Sequence, residues 1–79
     1  MGTKRHAALM TVIVPDVVQL IAERWGLGEI DATRLFLESR TYAALEDEAT
    51  DVWHFSPETI YLMFASEQET GRVSFPEEA

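Results

Sequence analysis

The sequence predicts an all-α domain: a compact bundle of about four short helices, with an extended N-terminal arm as one reading of its first apolar segment. Three observations lead there. Apolar residues recur at three- and four-residue spacing in separate stretches, the period of a helix with one buried face. Helix stop and start residues fall between those stretches, at Gly26, Gly28, Ser56 and Gly71. The Gly26-Leu27-Gly28 connector is so short that the helices it joins must be antiparallel neighbours or cross steeply.

Residues 1–8 are polar and small and read as a flexible N-terminus. Leu9 to Val14 is rich in β-branched residues, and Pro15 biases Val14 towards extended geometry. That segment fits a short strand, an extended arm, or the first turn of a longer helix, where proline is tolerated. From Pro15 to Trp25 the chain reads as helix, with Val14, Val18, Ile21 and Trp25 at helical spacing and Asp16 in the first turn. Gly28 can cap a second helix running to about Ser39, with Glu29 and Asp31 early, Ala32, Leu35 and Phe36 inward, and Ile30 and Leu37 at the margins.

Thr41 can cap a short third helix, Tyr42 to about Ala49, that buries Tyr42 and Leu45. The acids Glu46, Asp47 and Glu48 oppose the dipole at its end and keep it short. Asp51 to Phe55 is a non-periodic connector. Ser56-Pro57-Glu58 then gives the clearest local signal: an N-cap, a proline in the first helical position and an acid beside it. This fourth helix is expected to reach about Gln68, with Ile60, Met63, Phe64 and Glu67 on one face, Tyr61 and Leu62 beside it, and Val73 and Phe75 packing back. The domain spans residues 9–75, with 76–79 as an acidic tail.

The chain has 79 residues and a formal charge of −8. A domain of this size buries only about 60% of its unfolded surface, so the core is thin and a dimer interface could add to it. The charge is lopsided. Residues 1–45 balance Asp16, Glu23, Glu29, Asp31 and Glu38 against Lys4, Arg5, Arg24, Arg34 and Arg40. Residues 46–79 hold nine acids and one base, Arg72. Phosphate backbones and anionic membrane surfaces are therefore disfavoured. A homo-oligomer or a basic protein partner fits better; the plainer reading of the acids is a solvated face. Cysteine is absent, which removes thiolate metal sites and disulfides and suits a cytoplasmic location. The apolar run Val12-Ile13-Val14, with Leu9 and Met10 before it, ends at Pro15 and falls far short of the roughly 20 residues of a membrane span.

Candidates for chemistry are few. Asp51 and Glu58 flank His54 at three and four residues, a spacing that gathers side chains on one face of a helix. Such a trio could hold a metal or serve as an acid/base group. It lacks the paired histidines of a persuasive zinc motif, and Ser56-Pro57 interrupts it. A histidine bracing a loop is the plainer reading. His6 has no partner in sequence. Trp53 lies beside His54, and eight aromatic residues in so small a chain are mostly core. Trp25, Tyr42, Phe55 and Tyr61 are the candidates for an exposed partner anchor. No catalytic constellation, metal site or cofactor is assigned.

From Leu20 to Phe64 the chain resembles a small bacterial family, domain of unknown function 3791. The resemblance rests on Glu23-Arg24-Trp25-Gly26 ending the first helix, on Ala32 and Leu35-Phe36 in the second, and on the Tyr42 to Leu45 helix. Its best part is Asp51-Val52-Trp53-His54, similar to that family's Asp-x-Leu-His element. Pro15, the Glu46-Asp47-Glu48 run and the Ser56-Pro57 helix start depart from the pattern. The resemblance implies a compact helical domain and no activity, and makes His54 the residue most worth testing. The expected function is a cytoplasmic interaction or accessory module, antitoxin-like in one version. The alternative is a minimal metal-binding or hydrolytic protein centred on Asp51, His54 and Glu58.

Overall fold

A computed structural model describes residues 4–72. They form four α-helices and, among the described residues, no strand. Helix α1 spans Lys4–Trp25, α2 Glu29–Leu37, α3 Arg40–Glu46 and α4 Pro57–Thr70, and two single-turn 3₁₀ segments, Glu48–Thr50 and Val52–His54, join α3 to α4. Val73, Phe75 and the tail at 76–79 lie outside the described residues.

The main correction concerns residues 4–14. Residues 4–8, read as part of a flexible terminus, and Leu9 to Val14, left open between strand, extended arm and the start of a longer helix, together form the first half of a 22-residue helix that continues through Pro15. A proline inside a helix lacks the N–H for the carbonyl four residues back and crowds it, costing about 3 kcal/mol. Pro15 and Thr11, whose carbonyl loses that donor, are both exposed, so the defect faces water. On the opposite side Ile13, Val17, Val18 and Ile21 are buried. Burying such a side chain contributes roughly 1.5–3 kcal/mol, so the stripe outweighs the proline. The buried stripe is also rotated from the expected one: Ile13 and Val17 take the place of Val14 and Trp25.

Gly26 ends α1 with φ +67, and the Leu27 N–H reaches back to the Ala22 carbonyl at 3.1 Å, the closing bond of a Schellman turn. Helix α2 starts at Gly28 as expected and buries Ala32 and Phe36. Its successor begins two residues earlier than the sequence suggested. Ser39, not Thr41, is the cap of α3: its Oγ accepts the Tyr42 N–H at 3.0 Å and donates to the Phe36 carbonyl at 2.6 Å. Thr41 is fully buried instead, and α3 stops at Glu46, the first residue of the acid run, with Asp47 capping the next turn. Helix α4 follows expectation closely. Ser56 accepts the Thr59 N–H at 3.2 Å, Pro57 opens the helix, and Ile60, Tyr61, Met63, Phe64 and Glu67 are buried.

Helix α1 packs against both α2 and α4, and α3 closes against α4. The core sits between them, built on the fully buried Val17, Ile21, Phe36, Leu45, Val52, Ile60 and Phe64. The first turn of α1 is fixed by His6, which is buried and points its Nε2 at the Leu45 carbonyl, 3.1 Å away, at the end of α3.

Candidate functional site

The connector between α3 and α4 holds the residues singled out for chemistry. Asp51 joins its two 3₁₀ turns in the left-handed conformation, φ +61, which Asp tolerates better than most residues. That turn brings His54 Nε2 to 4.0 Å from Asp51 Oδ1, at the long limit of an ion pair, with both side chains at least half exposed. Trp53 points the other way. Its ring is buried, its Nε1–H donates to the Glu48 carbonyl at 3.0 Å, and its edge meets the His6 ring at a centroid distance of 5.3 Å. The His54 ring lies over the Trp53 ring at 4.0 Å. Trp53 is therefore a structural anchor of the connector.

Glu58 does not join this group. It lies past the Ser56 cap, on α4, and forms a two-pronged pair with Arg24 of α1, at 2.7 and 2.8 Å. The hydrogen bonds from Arg24 hold its carboxyl below the usual range, and Glu58 in turn raises the guanidinium. Asp51 and His54 come together and Glu58 goes elsewhere, because Ser56-Pro57 restarts the chain between them. Among the described residues, no three His, Cys, Asp or Glu side chains are grouped to hold a metal ion.

The aromatic candidates divide. Tyr61 is buried, its hydroxyl accepting the Trp25 Nε1–H at 3.0 Å while the Arg24 guanidinium sits 4.8 Å above its ring. Tyr42 packs edge-on against Phe36 at 5.4 Å and is half-buried, as is Phe55. Burial and nearby Glu46 push the Tyr42 phenol up. Trp25, 38% exposed, is the one of the four that stays open, though it also leans on Phe64. A thin core draws its largest rings inward, and that is why Tyr61 is no free anchor.

Two features escaped the sequence reading. The first is the role of Glu67. This buried carboxylate accepts the backbone N–H groups of Arg40 and Thr41, each at 2.9 Å, and the Thr41 hydroxyl at 2.8 Å. It closes the open end of α3 from a different helix. Burial pushes its pKa up, yet these donors more than offset that and leave it lowered. The available signal was a charged residue on an otherwise apolar face of α4.

The second is the outer face of α2. Ile30 is 76% and Leu37 45% exposed, where the sequence placed both at the margins of the core. With Thr33 and Arg34 they line a shallow groove of about 570 Å³, rimmed by Glu29 and Glu38. Elsewhere Val12 and Leu62 also stand out in solvent. Helix α1 is long and apolar enough to cross a membrane by length and composition, which the shorter segmentation of the sequence had hidden; its inner stripe is packed under α2 and α4. Comparison with known proteins gives no match: no family model, curated protein or solved structure matches this chain.

Proposed function

We propose that this protein is a small interaction module that works by binding another protein, a second copy of itself or a basic partner. The observation that carries the reading is the outer face of α2, where Ile30 and Leu37 project into solvent from a nine-residue helix. Isolated exposed apolar residues are ordinary, but two on one face of a short helix mark a contact surface. The packing supports it from the other side. Glu58 is held by Arg24, Glu67 by α3, and Trp53 by the Glu48 carbonyl, so the chain's chemistry-bearing groups are largely committed to structure.

The exposed acids Glu46, at the end of α3, and Asp47 and Asp51, in the connector after it, supply the surface that a basic partner would meet. The resemblance to the family of unknown function 3791 and an antitoxin-like accessory role in the cytoplasm belong to the same reading. Affinity purification of the full chain under native salt, with sedimentation analysis of the purified protein, tests it. Self-association or a stoichiometric partner is expected. A strict monomer that retains no partner overturns it.

A second reading keeps His54 and Asp51, 4.0 Å apart and open to solvent, as the remnant of a metal or acid/base site. Metal titration of the wild-type protein against His54→Ala decides it: equal binding by the two removes it.

A further inference from the structure

We propose that the outer face of α2 is the contact between two copies of this chain, packed antiparallel about a two-fold axis. The inference rests on the interaction-module reading and gives it a surface and a partner.

At about 100° per residue, Ile30, Arg34 and Leu37 fall on one side of α2, opposite Ala32 and Phe36, which face the core. Ile30 and Leu37 are two turns apart on that side, with Arg34 between them. Among the described residues no other helix offers this: Val12 and Trp25 of α1 are thirteen positions apart and point to different sides, and Leu62 is alone on α4.

The pattern is self-complementary. In an antiparallel pairing centred between Thr33 and Arg34, residue 30 of one copy lies opposite residue 37 of the other. Ile30 therefore packs on Leu37 at both ends of the contact. Asp31 and Arg34 share one flank of the helix, and a two-fold axis brings that flank against itself. The same register leaves Arg34 two residue steps, about 3 Å along the axis, from Asp31 of the second copy. Both side chains are exposed, and neither forms a hydrogen bond or ion pair with another described residue. Two Arg34–Asp31 pairs then flank two Ile30–Leu37 contacts. A second copy answers each Arg34 with an acid. Residues 29–38 carry Glu29, Asp31 and Glu38 against Arg34 alone, so two copies meet across faces of like net charge, and the Arg34–Asp31 pairs are what offsets that repulsion.

A nine-residue helix is only about 13 Å long, and its face is small beside the roughly 800 Å² per partner of a standard interface. The dimer is therefore weak and concentration-dependent. Sedimentation equilibrium of the full chain from about 10 μM to 1 mM tests it. The wild type is expected to move from monomer to dimer across that range. Ile30→Asp should weaken association by about tenfold or more with unchanged helix content by circular dichroism, because Ile30 contributes little to the core. Asp31→Arg and Arg34→Asp should each weaken it, and the double exchange should restore it, which no merely structural role predicts. A dimer indifferent to Ile30→Asp and to both charge reversals overturns the α2 contact and leaves the interaction-module reading intact. A strict monomer that captures a basic partner also overturns the contact and keeps that reading. A strict monomer without any partner removes both.

Discussion

Glu67 shows how one side chain can hold two elements together. It lies on α4 but satisfies donors at the start of α3, groups that a helix cannot bond internally. A carboxylate accepting three hydrogen bonds in a buried site is strongly committed, since leaving such donors unmade costs about 1–3 kcal/mol. Glu67→Gln replaces an accepting oxygen with an amide that faces a donor, and should lower stability by about 1–3 kcal/mol in urea unfolding. The pH dependence has a definite sign. The lowered pKa means that the folded chain holds this proton less tightly than the unfolded chain. The carboxylate's contribution is therefore complete above the ordinary value of about 4.3 and is lost as pH falls through the folded value. The gap between wild type and Glu67→Gln should accordingly narrow as pH falls from 7 through the carboxylate range. A gap that stays constant would mean that charge is not the cause. The sequence placed Glu67 on the buried face of α4; it could not show that the start of α3 would be waiting there, twenty-six residues earlier in the chain.

At the scale of elements, signals confined to neighbouring residues were readable and those involving distant ones were not. The Ser56-Pro57 start and the Gly26 stop depend on a few adjacent backbone groups, and both stand where the sequence put them. The α3 cap was misplaced by two residues because Ser39 and Thr41 offer the same hydroxyl chemistry, and only packing buries one and leaves the other to cap. Ser39→Ala should cost about 1 kcal/mol in thermal or chemical unfolding through loss of the Tyr42 N–H bond. Helix α1 turned on a competition that the sequence left open. Pro15 argued for a break after Val14, whereas burial of Ile13 and Val17 on either side of it favoured continuity. Pro15→Ala restores a helical N–H at an exposed position. After allowing for the greater entropy of the unfolded chain, it should raise stability by about 1–2 kcal/mol. A loss of stability would mean that the proline relieves a strain which alanine cannot.

For the whole molecule the governing quantity is the uneven charge. The surplus acids of the second half lie in the α3–α4 connector, on α4 and in the terminal residues, and the exposed ones repel one another across the surface. Raising NaCl from 10 to 150 mM shortens the screening length from about 30 to about 8 Å, so the melting temperature should rise with salt. It would fall only if the exposed Arg24–Glu58 pair outweighed the summed repulsion of a chain at −8, which one solvated pair does not do. The proposed α2 contact draws on none of the surplus acids of residues 46–79, but α2 with its C-cap carries Glu29, Asp31 and Glu38 against Arg34.

By itself, the sequence determined that the protein is helical, where three of its helices begin or end, which face of α4 is buried, and where the acid lies. These follow from interactions a few residues in range: periodicity, caps, fixed proline dihedrals and counted charges. Tertiary structure decided the rest. It carried α1 back to Lys4, anchored His6 against the end of α3, took Glu58 away from His54 to Arg24, drew Tyr61 inward and turned Ile30 and Leu37 out. Each of those outcomes depends on which distant surface competes for the same side chain, and that competition is settled only when the helices pack.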